Sequence, residues 1–277
     1  MRAVWAIVVV LALVGCNGDE ASSPTTPSEP AATATTPGTD DESLALRVYF
    51  VRGEDVGVAT REVEPTQAVA AAAMRELLAG PDAADRAGEL GTEIPSGTEL
   101  RSVSIAEGTA TVDLSREFES GGGSTSMTLR VAQVVHTLTQ FPSVRRVGFR
   151  IEGEPVDAIG GEGVVVSPPV DRADFEDQSP AILVESVGPG DAVSSPLRVT
   201  GTANTFEATL NLRVVDESGE VLYDDFATAT SGTGTRGTFD ETIEFDGEGP
   251  ATLVAYERSA EDGTEINVVV IPVELRR

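Results

Sequence analysis

"RVAQVVHTLTQFPSVRRVGFRIEGEPV", residues 130–156, changes period halfway along. In its first half Val131, Val134, Val135, Leu138 and Phe141 recur at the three- and four-residue spacing of one helix face. Pro142 then stops the helix, because proline has no amide to donate and its ring clashes with the preceding turn. In the second half "RRVGFRIEG" (145–153) reads as a strand. A helix over 127–141 followed by a strand over 145–153 belongs to a mixed α+β layer.

The sequence before it has the same character. "LRSVSIAEGTATVDLS" (100–115) reads as a hairpin turning at Glu107-Gly108. "EPTQAVAAAAMRELLAGP" (64–81) reads as a helix: Val69, Ala73 and Leu77 share a face, as do Ala70, Met74 and Leu78. Thr66 is placed to cap it, and Gly80-Pro81 ends it. "LALRVYFV" (44–51) reads as a first strand. The order is strand, helix, strand, strand, helix, strand, with the helices expected on one face of a small sheet.

After residue 165 the pattern changes. "VSPPVDRADFEDQSP" (166–180) is a Pro- and Asp-rich link. Beyond it helical periodicity stops. Candidate strands are 181–187, 197–203, 208–215, 220–229, 238–245, 251–258 and 265–275, separated by turns such as "GPGD", "DESGE" and "AEDG". That number and spacing predict a β-sandwich. It lacks the cysteine pair and buried tryptophan of antibody domains, since the only Trp is Trp5, so packing alone must hold it.

Two resemblances follow from these residues. "AVAAAAMRELLAGP", "IPSGTELRSVSIAEGTATVDLSREF" and the opening stretch together resemble the GerMN (sporulation and spore germination) domain, over most of residues 44–170. The resemblance implies an αββαβ core similar to the ring-building motif of secretion-apparatus proteins. It also implies self-association and no catalytic activity. Pro95 and Gly97 would shape a loop, and Leu114 and Phe118 are core candidates. "SPLRVTGTANTFEATLNLRVVDESGEVL" (195–222), with "GTFDETIEF" and "YERSAEDGTEINVVVIPVEL", resembles the immunoglobulin-like domain of germination proteins. Its most recognisable part is Gly201 with Asn204-Thr205-Phe206-Glu207. The fold expected is an α+β GerMN domain followed by an all-β immunoglobulin-like sandwich.

The start of the chain addresses it. Ala3 to Val14 is an unbroken apolar run after Arg2, long enough for a secretory signal core and too short to span a bilayer. Leu13-Val14-Gly15-Cys16 resembles a bacterial lipobox. In that signal the cysteine is lipidated and becomes the first residue, and two or more acyl chains anchor where one barely holds. The next residues are Pro, Thr, Ser, Ala and acid, too polar to offset the entropy of ordering. With their prolines they extend roughly 3 Å per residue. The expected scheme is a signal peptide (1–15), lipidated Cys16 and tether (16–43), GerMN domain (44–168), link (169–180) and sandwich (181–277). The expected location is the extracytoplasmic face of the cell membrane.

A net charge of −27 with no lysine excludes nucleic acid, whose affinity rests on basic contacts to phosphate. Expected partners are the membrane through the lipid, an envelope protein or the cell wall, and a second copy of the chain. No chemistry stands out. His136 is the only histidine and sits beside the apolar stripe, read as a boundary residue without metal or base partners. "GTGTRG" (232–237) matches a dinucleotide fingerprint formally but lies between β-like runs, so it reads as a hairpin loop. "GGGSTS" (121–126) precedes a helix without the lysine of a P-loop. Asp40-Asp41 and Asp224-Asp225 are chance pairs in an acidic chain; "DESGE" (216–220) is a turn; Ser115 and Ser167 have no triad. Cys16, for lipidation, is the one site residue assigned. No catalytic, cofactor or metal residue is expected. The leading reading is a non-enzymatic envelope lipoprotein that assembles or binds, in sporulation or germination. The alternative is a surface protein binding wall glycan or a small ligand. An enzyme, the third reading, would need clustered carboxylates or a buried His136 beside an acid.

Overall fold

The computed structural model describes residues 43–160 and 163–277. Cys16, the signal segment and nearly all of the tether lie outside the described residues. From residue 41 onward the chain is one compact unit.

The first strand is half of a hairpin. β1 (Leu44–Arg52) pairs antiparallel with β2 (Asp55–Val63) in a two-stranded sheet of their own. The sequence reading missed β2 because Val56 to Ala59 are buried consecutively, so no alternation marks the strand. α1 (Val69–Ala79) and the short α2 (Ala83–Ala87) follow. β3 (Leu100–Ala106) and β4 (Thr109–Leu114) form the expected hairpin. α3 (Ser124–Leu138) then crosses back to β5 (Arg146–Ile151), which lies parallel to β4. β6 (Glu154–Pro155) extends that sheet in the order β3-β4-β5-β6, and β7 (Ala158–Ile159) pairs with β8 (Val164–Val165).

The α1-β3-β4-α3-β5 order is the αββαβ core. One detail differs from expectation: β1 does not join the sheet that the helices cover. Instead α3 packs on β1 and on β5, with α1 and the turn at 172–178 also against it. A helix covered on every side buries its polar residues too. Arg130, Gln133, His136 and Thr137 are all buried beside Val131, Val134, Val135 and Leu138.

Within residues 169–180 Val170 and Phe175 are buried. A 3-10 helix over Arg172–Gln178 is capped by Asp171, whose side chain accepts from the Ala173 amide, and Phe175 enters the core of the first module.

All seven candidate strands of the second module form, and one more, β10, lies between the first and second of them. They are β9 (Ile182–Val184), β10 (Ala192–Ser194), β11 (Leu197–Ala203), β12 (Thr209–Asp216), β13 (Val221–Thr228), β14 (Gly237–Ile243), β15 (Gly249–Arg258) and β16 (Glu265–Arg276). A five-stranded sheet, β10-β16-β15-β12-β13, faces a three-stranded one, β14-β11-β9. Alternate residues Leu210, Leu212 and Val214 of β12 meet Ile182, Val199 and Phe239 of the other sheet inside. Each such side chain contributes about 1.5–3 kcal/mol by leaving water, which substitutes here for a disulfide. Gly201 is required by close approach: a Cβ there would lie 2.1 Å from the Leu183 carbonyl oxygen. The turn between β9 and β10 rests on the first module, where a Cβ on Gly188 would lie 2.8 Å from the Thr60 amide nitrogen.

Candidate functional site

Three places combine polar chemistry with burial or exposure: the outer edge of β1, the ionic cluster under it, and the gap beside β16.

A strand at the edge of a sheet leaves amides and carbonyls unpaired every second residue. β1 has these groups sealed by side chains of α3. Gln140 accepts from the Arg47 amide at 3.0 Å and donates back to its carbonyl at 2.6 Å. Thr137 Oγ1 accepts from the Tyr49 amide at 3.1 Å, and Gln133 donates to the Tyr49 carbonyl at 3.3 Å. Val51 exchanges two bonds with Gly91, at 2.8 and 2.7 Å. Gln133 and Thr137 of α3 and Gln140 in the turn after it fall at helical spacing, so one polar stripe acts as the missing strand.

Beneath it, Tyr49 donates its hydroxyl proton to Glu185 in a short hydrogen bond. Arg172 joins both: one nitrogen reaches Glu185 at 2.7 Å, another reaches the Tyr49 hydroxyl at 2.9 Å and the His136 carbonyl at 3.1 Å. These residues come from β1, α3, the 172–178 turn and the residue after β9, so the cluster ties the two modules. Burial pushes the Tyr49 hydroxyl pKa up, with Glu185 adding to the rise and Arg172 opposing it. Burial would also raise Glu185, but Arg172 and the Tyr49 hydroxyl outweigh it and hold the carboxylate below its usual range. A second tie runs from Arg236 to Glu176 at 2.9 Å.

His136 is 2% exposed and not at a boundary. Its ring lies 5.4 Å from that of Tyr49, its Nε2 lies 3.5 Å from Ser179 Oγ, and its Nδ1 has no hydrogen-bond partner among the described residues. Burial, with Arg172 and Arg236 nearby, lowers its pKa well below that of a free histidine. It is held neutral next to two cations. The enzyme reading asked for His136 buried beside an acid; the ring is buried, but the carboxylate of the cluster, Glu185, is engaged by Tyr49 and Arg172 and not by the imidazole.

The other sequence candidates are structural. Gly123 precedes α3, and the glycines before it line an open cavity of about 430 Å³. Glu119 lines it too, setting a carboxylate beside a helix start that favours anions. "GTGTRG" joins β13 to β14 as a loop. Asp224 binds Arg213 and the Tyr256 hydroxyl, while Asp225 accepts from the Phe226 amide, so the two do not act as a carboxylate pair. Asp216 closes the 216–220 turn by accepting from the Glu220 amide. Ser115 accepts from the Glu99 amide. Asp40 and Asp41 lie outside the described residues. Among the described residues no three of His, Cys, Asp and Glu converge, and no helix is long and apolar enough to cross a membrane.

The Asn204–Glu207 cluster forms a pinned loop. The Phe206 amide donates to Glu257, the Glu207 amide to Thr233, and Asn204 accepts from the Gly234 amide. Glu207 and Ala208 both take positive φ, 53° and 57°, and Phe206 stays half exposed. Sequence reasoning missed the β1 seal and the Tyr49–Glu185–Arg172 cluster. The available signal was the polar stripe Gln133, Thr137 and Gln140 on an otherwise apolar helix.

The third place is a cavity of about 220 Å³ between β2, β9 and β16. Val58, Ile182, Val184, Val268 and Ile271 line it with Arg52 and Asp55. Arg52 already donates twice to the Gly88 carbonyl. The Asp55 side chain makes no hydrogen bond or ion pair among the described residues; burial raises its pKa, with Arg236 opposing the rise.

The chain is thus a two-module α+β protein, an αββαβ core joined to an eight-stranded sandwich. Residues 47–157 match the family model described as sporulation and spore germination. Residues 181–264 match that of the immunoglobulin-like domain of bacterial spore germination. The chain therefore carries a GerMN-type domain followed by a germination-associated immunoglobulin-like domain. Among curated proteins none matches it. Similar solved structures include the first GerMN domain of the sporulation protein GerM from Bacillus subtilis, 24% identical with a TM-score of 0.41, covering 47% of this chain and 98% of that one. The tandem GerMN domains of the same protein are 19% identical with a TM-score of 0.42, covering 73% of this chain and 61% of that one. A Clostridium perfringens chain described as a lipoprotein is 23% identical with a TM-score of 0.36, covering 48% and 89%.

Proposed function

We propose that the protein is a membrane-anchored, non-enzymatic envelope lipoprotein that serves as an assembly or binding module in sporulation or spore germination. The observation that carries this reading is the pair of germination-associated domains in order on one chain. The anchor rests on Leu13-Val14-Gly15-Cys16 at the end of a short apolar run. The non-enzymatic part is supported by what the buried polar residues do. Arg130 donates to the carbonyls of Glu93, Phe118, Ser120 and Gly121, and Arg172, Glu185 and Tyr49 bind one another. Such groups are committed to shape. The tether holds the folded unit away from the bilayer on the outer side, in reach of an envelope protein, the wall or a second copy.

The test is Cys16→Ser in the native host. The expected result is loss of acyl labelling and release of the protein from the membrane fraction. Unchanged labelling and fractionation would sink the anchor. Cross-linking of the intact protein in its envelope, with captured partners identified, tests assembly; recovery of wall glycan alone would favour the glycan-binding reading.

A further inference from the structure

From the open edge of β16 we infer that the protein binds an extended, aliphatic and basic segment of a partner protein, which adds to residues 268–271 as a further strand. This rests on the binding-module reading above and gives that module a site.

β16 is paired on one side by β15 along almost its whole length. On its other side β10 covers only Glu274 to Arg276. The Pro272 carbonyl accepts from Gly190 and the Glu274 amide donates to Asp191, so alternate residues from 274 backward direct their main-chain groups to that side. Val270 and Val268 are next in that alternation, and their amides and carbonyls find no partner among the described residues. The segment "INVVVI" carries no charge and no proline. The side chains of Ile266, Val268 and Val270 stand 39%, 47% and 49% exposed on the outer face. A bulge at Asn267 (φ 52°) shifts the register of β16 with β15; from Val268 to Ile271 the edge is uncharged, β-branched and regular, a template for another strand.

The cavity lies beside this edge. Strand addition takes affinity from main-chain hydrogen bonds and selectivity from pockets for alternate side chains. Val58, Ile182, Val184 and Ile271 give such a pocket an aliphatic lining. Among the described lining residues Asp55 is the one carboxylate; Arg236 is near enough to oppose the rise in its pKa but is bonded to Glu176, and no cation forms an ion pair with Asp55. Arg52 is held by Gly88. The occupant is therefore aliphatic with a Lys or Arg placed for Asp55. A chain of net charge −27 attracts a basic segment and repels a second copy of itself.

The experiment titrates the full chain with the synthetic peptide KVTVKVT, read by calorimetry and by amide exchange. Saturable binding that slows exchange at Val268 and Val270 is expected. Two N-methylated versions, each blocking one alternating set of peptide amides, should differ: one binds about tenfold more weakly, as loss of edge hydrogen bonds requires. Val270→Pro removes an edge amide without touching the ladder to β15 and should weaken binding similarly, while Asp55→Asn weakens it by about threefold. Absence of saturable binding overturns the proposal. Equal binding by both methylated peptides means charge attraction alone and also overturns it. A dimer of the protein that Val270→Pro dissociates would give the edge to a second copy and overturn the stated occupant. None of these outcomes touches the anchor, which Cys16→Ser tests separately.

Discussion

Two strand edges in this molecule are treated in opposite ways. The outer edge of β1 is closed residue by residue by Gln140, Thr137, Gln133 and Gly91. The edge of β16 between residues 268 and 271 is left open beside a cavity. An unpaired main-chain group deep in a core has no water to turn to, so β1 must be closed for the fold to exist. The β16 edge stands at the surface, where water satisfies the same groups, and it tolerates being open. Closure by side chains on one edge is thus a condition of folding, and openness on the other is free to be used.

The deepest break in the closed region is at Arg172. Arg172→Ala leaves the Glu185 carboxylate and the Tyr49 hydroxyl without their cation in a buried cluster. A loss of about 3 kcal/mol is expected, the low end for breaking a buried pair because Arg172 is partly open to water. Urea unfolding of wild type and variant gives the difference. A loss below 1 kcal/mol would mean that the cluster does not hold the modules. Next comes Gln133→Leu, which strands the Tyr49 carbonyl and the Glu93 amide. It should lose about 2 kcal/mol by the same measurement, the penalty for unpaired buried groups. A smaller loss would show that the β1 edge can reach water.

The closed region should also sense acid through His136. Its folded pKa is depressed by burial and by Arg172 and Arg236, so the unfolded chain binds the proton more readily. Stability from the neutral ring is complete above the unfolded pKa of about 6.5 and falls as pH drops below it, by up to about 1.4 kcal/mol per pH unit. Glu185 and Glu176, with depressed pKa values, keep their contributions above the ordinary carboxylate pKa and lose them as pH falls from there through their lower folded values. Melting temperatures between pH 7 and 5 should decline for the wild type and stay flat for His136→Phe. Equal slopes would assign the acid sensitivity to another group.

The same contrast explains what the sequence disclosed. Strands with one face in the core and one in water alternate, and β11 to β16 were legible for that reason. β2 was not, because the sandwich covers its second face and erases the alternation. α3 was legible through its apolar stripe, but nothing in local spacing distinguishes a buried polar stripe from a solvent face. Only the position of β1 tells that Gln133 and Thr137 point into the core. His136 was misjudged as a boundary residue by the same logic. The Tyr49–Glu185–Arg172 cluster joins residues more than a hundred positions apart, which no local spacing reveals.

The smallest expected change sharpens the contrast most. Val270→Thr keeps a β-branched shape on the outer face of β16, where the side chain is about half exposed. Surface replacements of this sort stay within about 0.5 kcal/mol, so urea unfolding should hardly distinguish it from wild type. Thr137→Val makes a change of the same size on the sealed edge, removing one hydroxyl. There it deprives the buried Tyr49 amide of its acceptor, at a cost of about 1–3 kcal/mol. One exchange adds a hydroxyl and the other removes one, and both alter a single side chain beside a strand edge. If the two variants lost equal stability, the edges would be equivalent and the open one would be a structural element like the other. A loss confined to Thr137→Val means that the fold does not need the β16 surface, which leaves its shape to be set by what docks there.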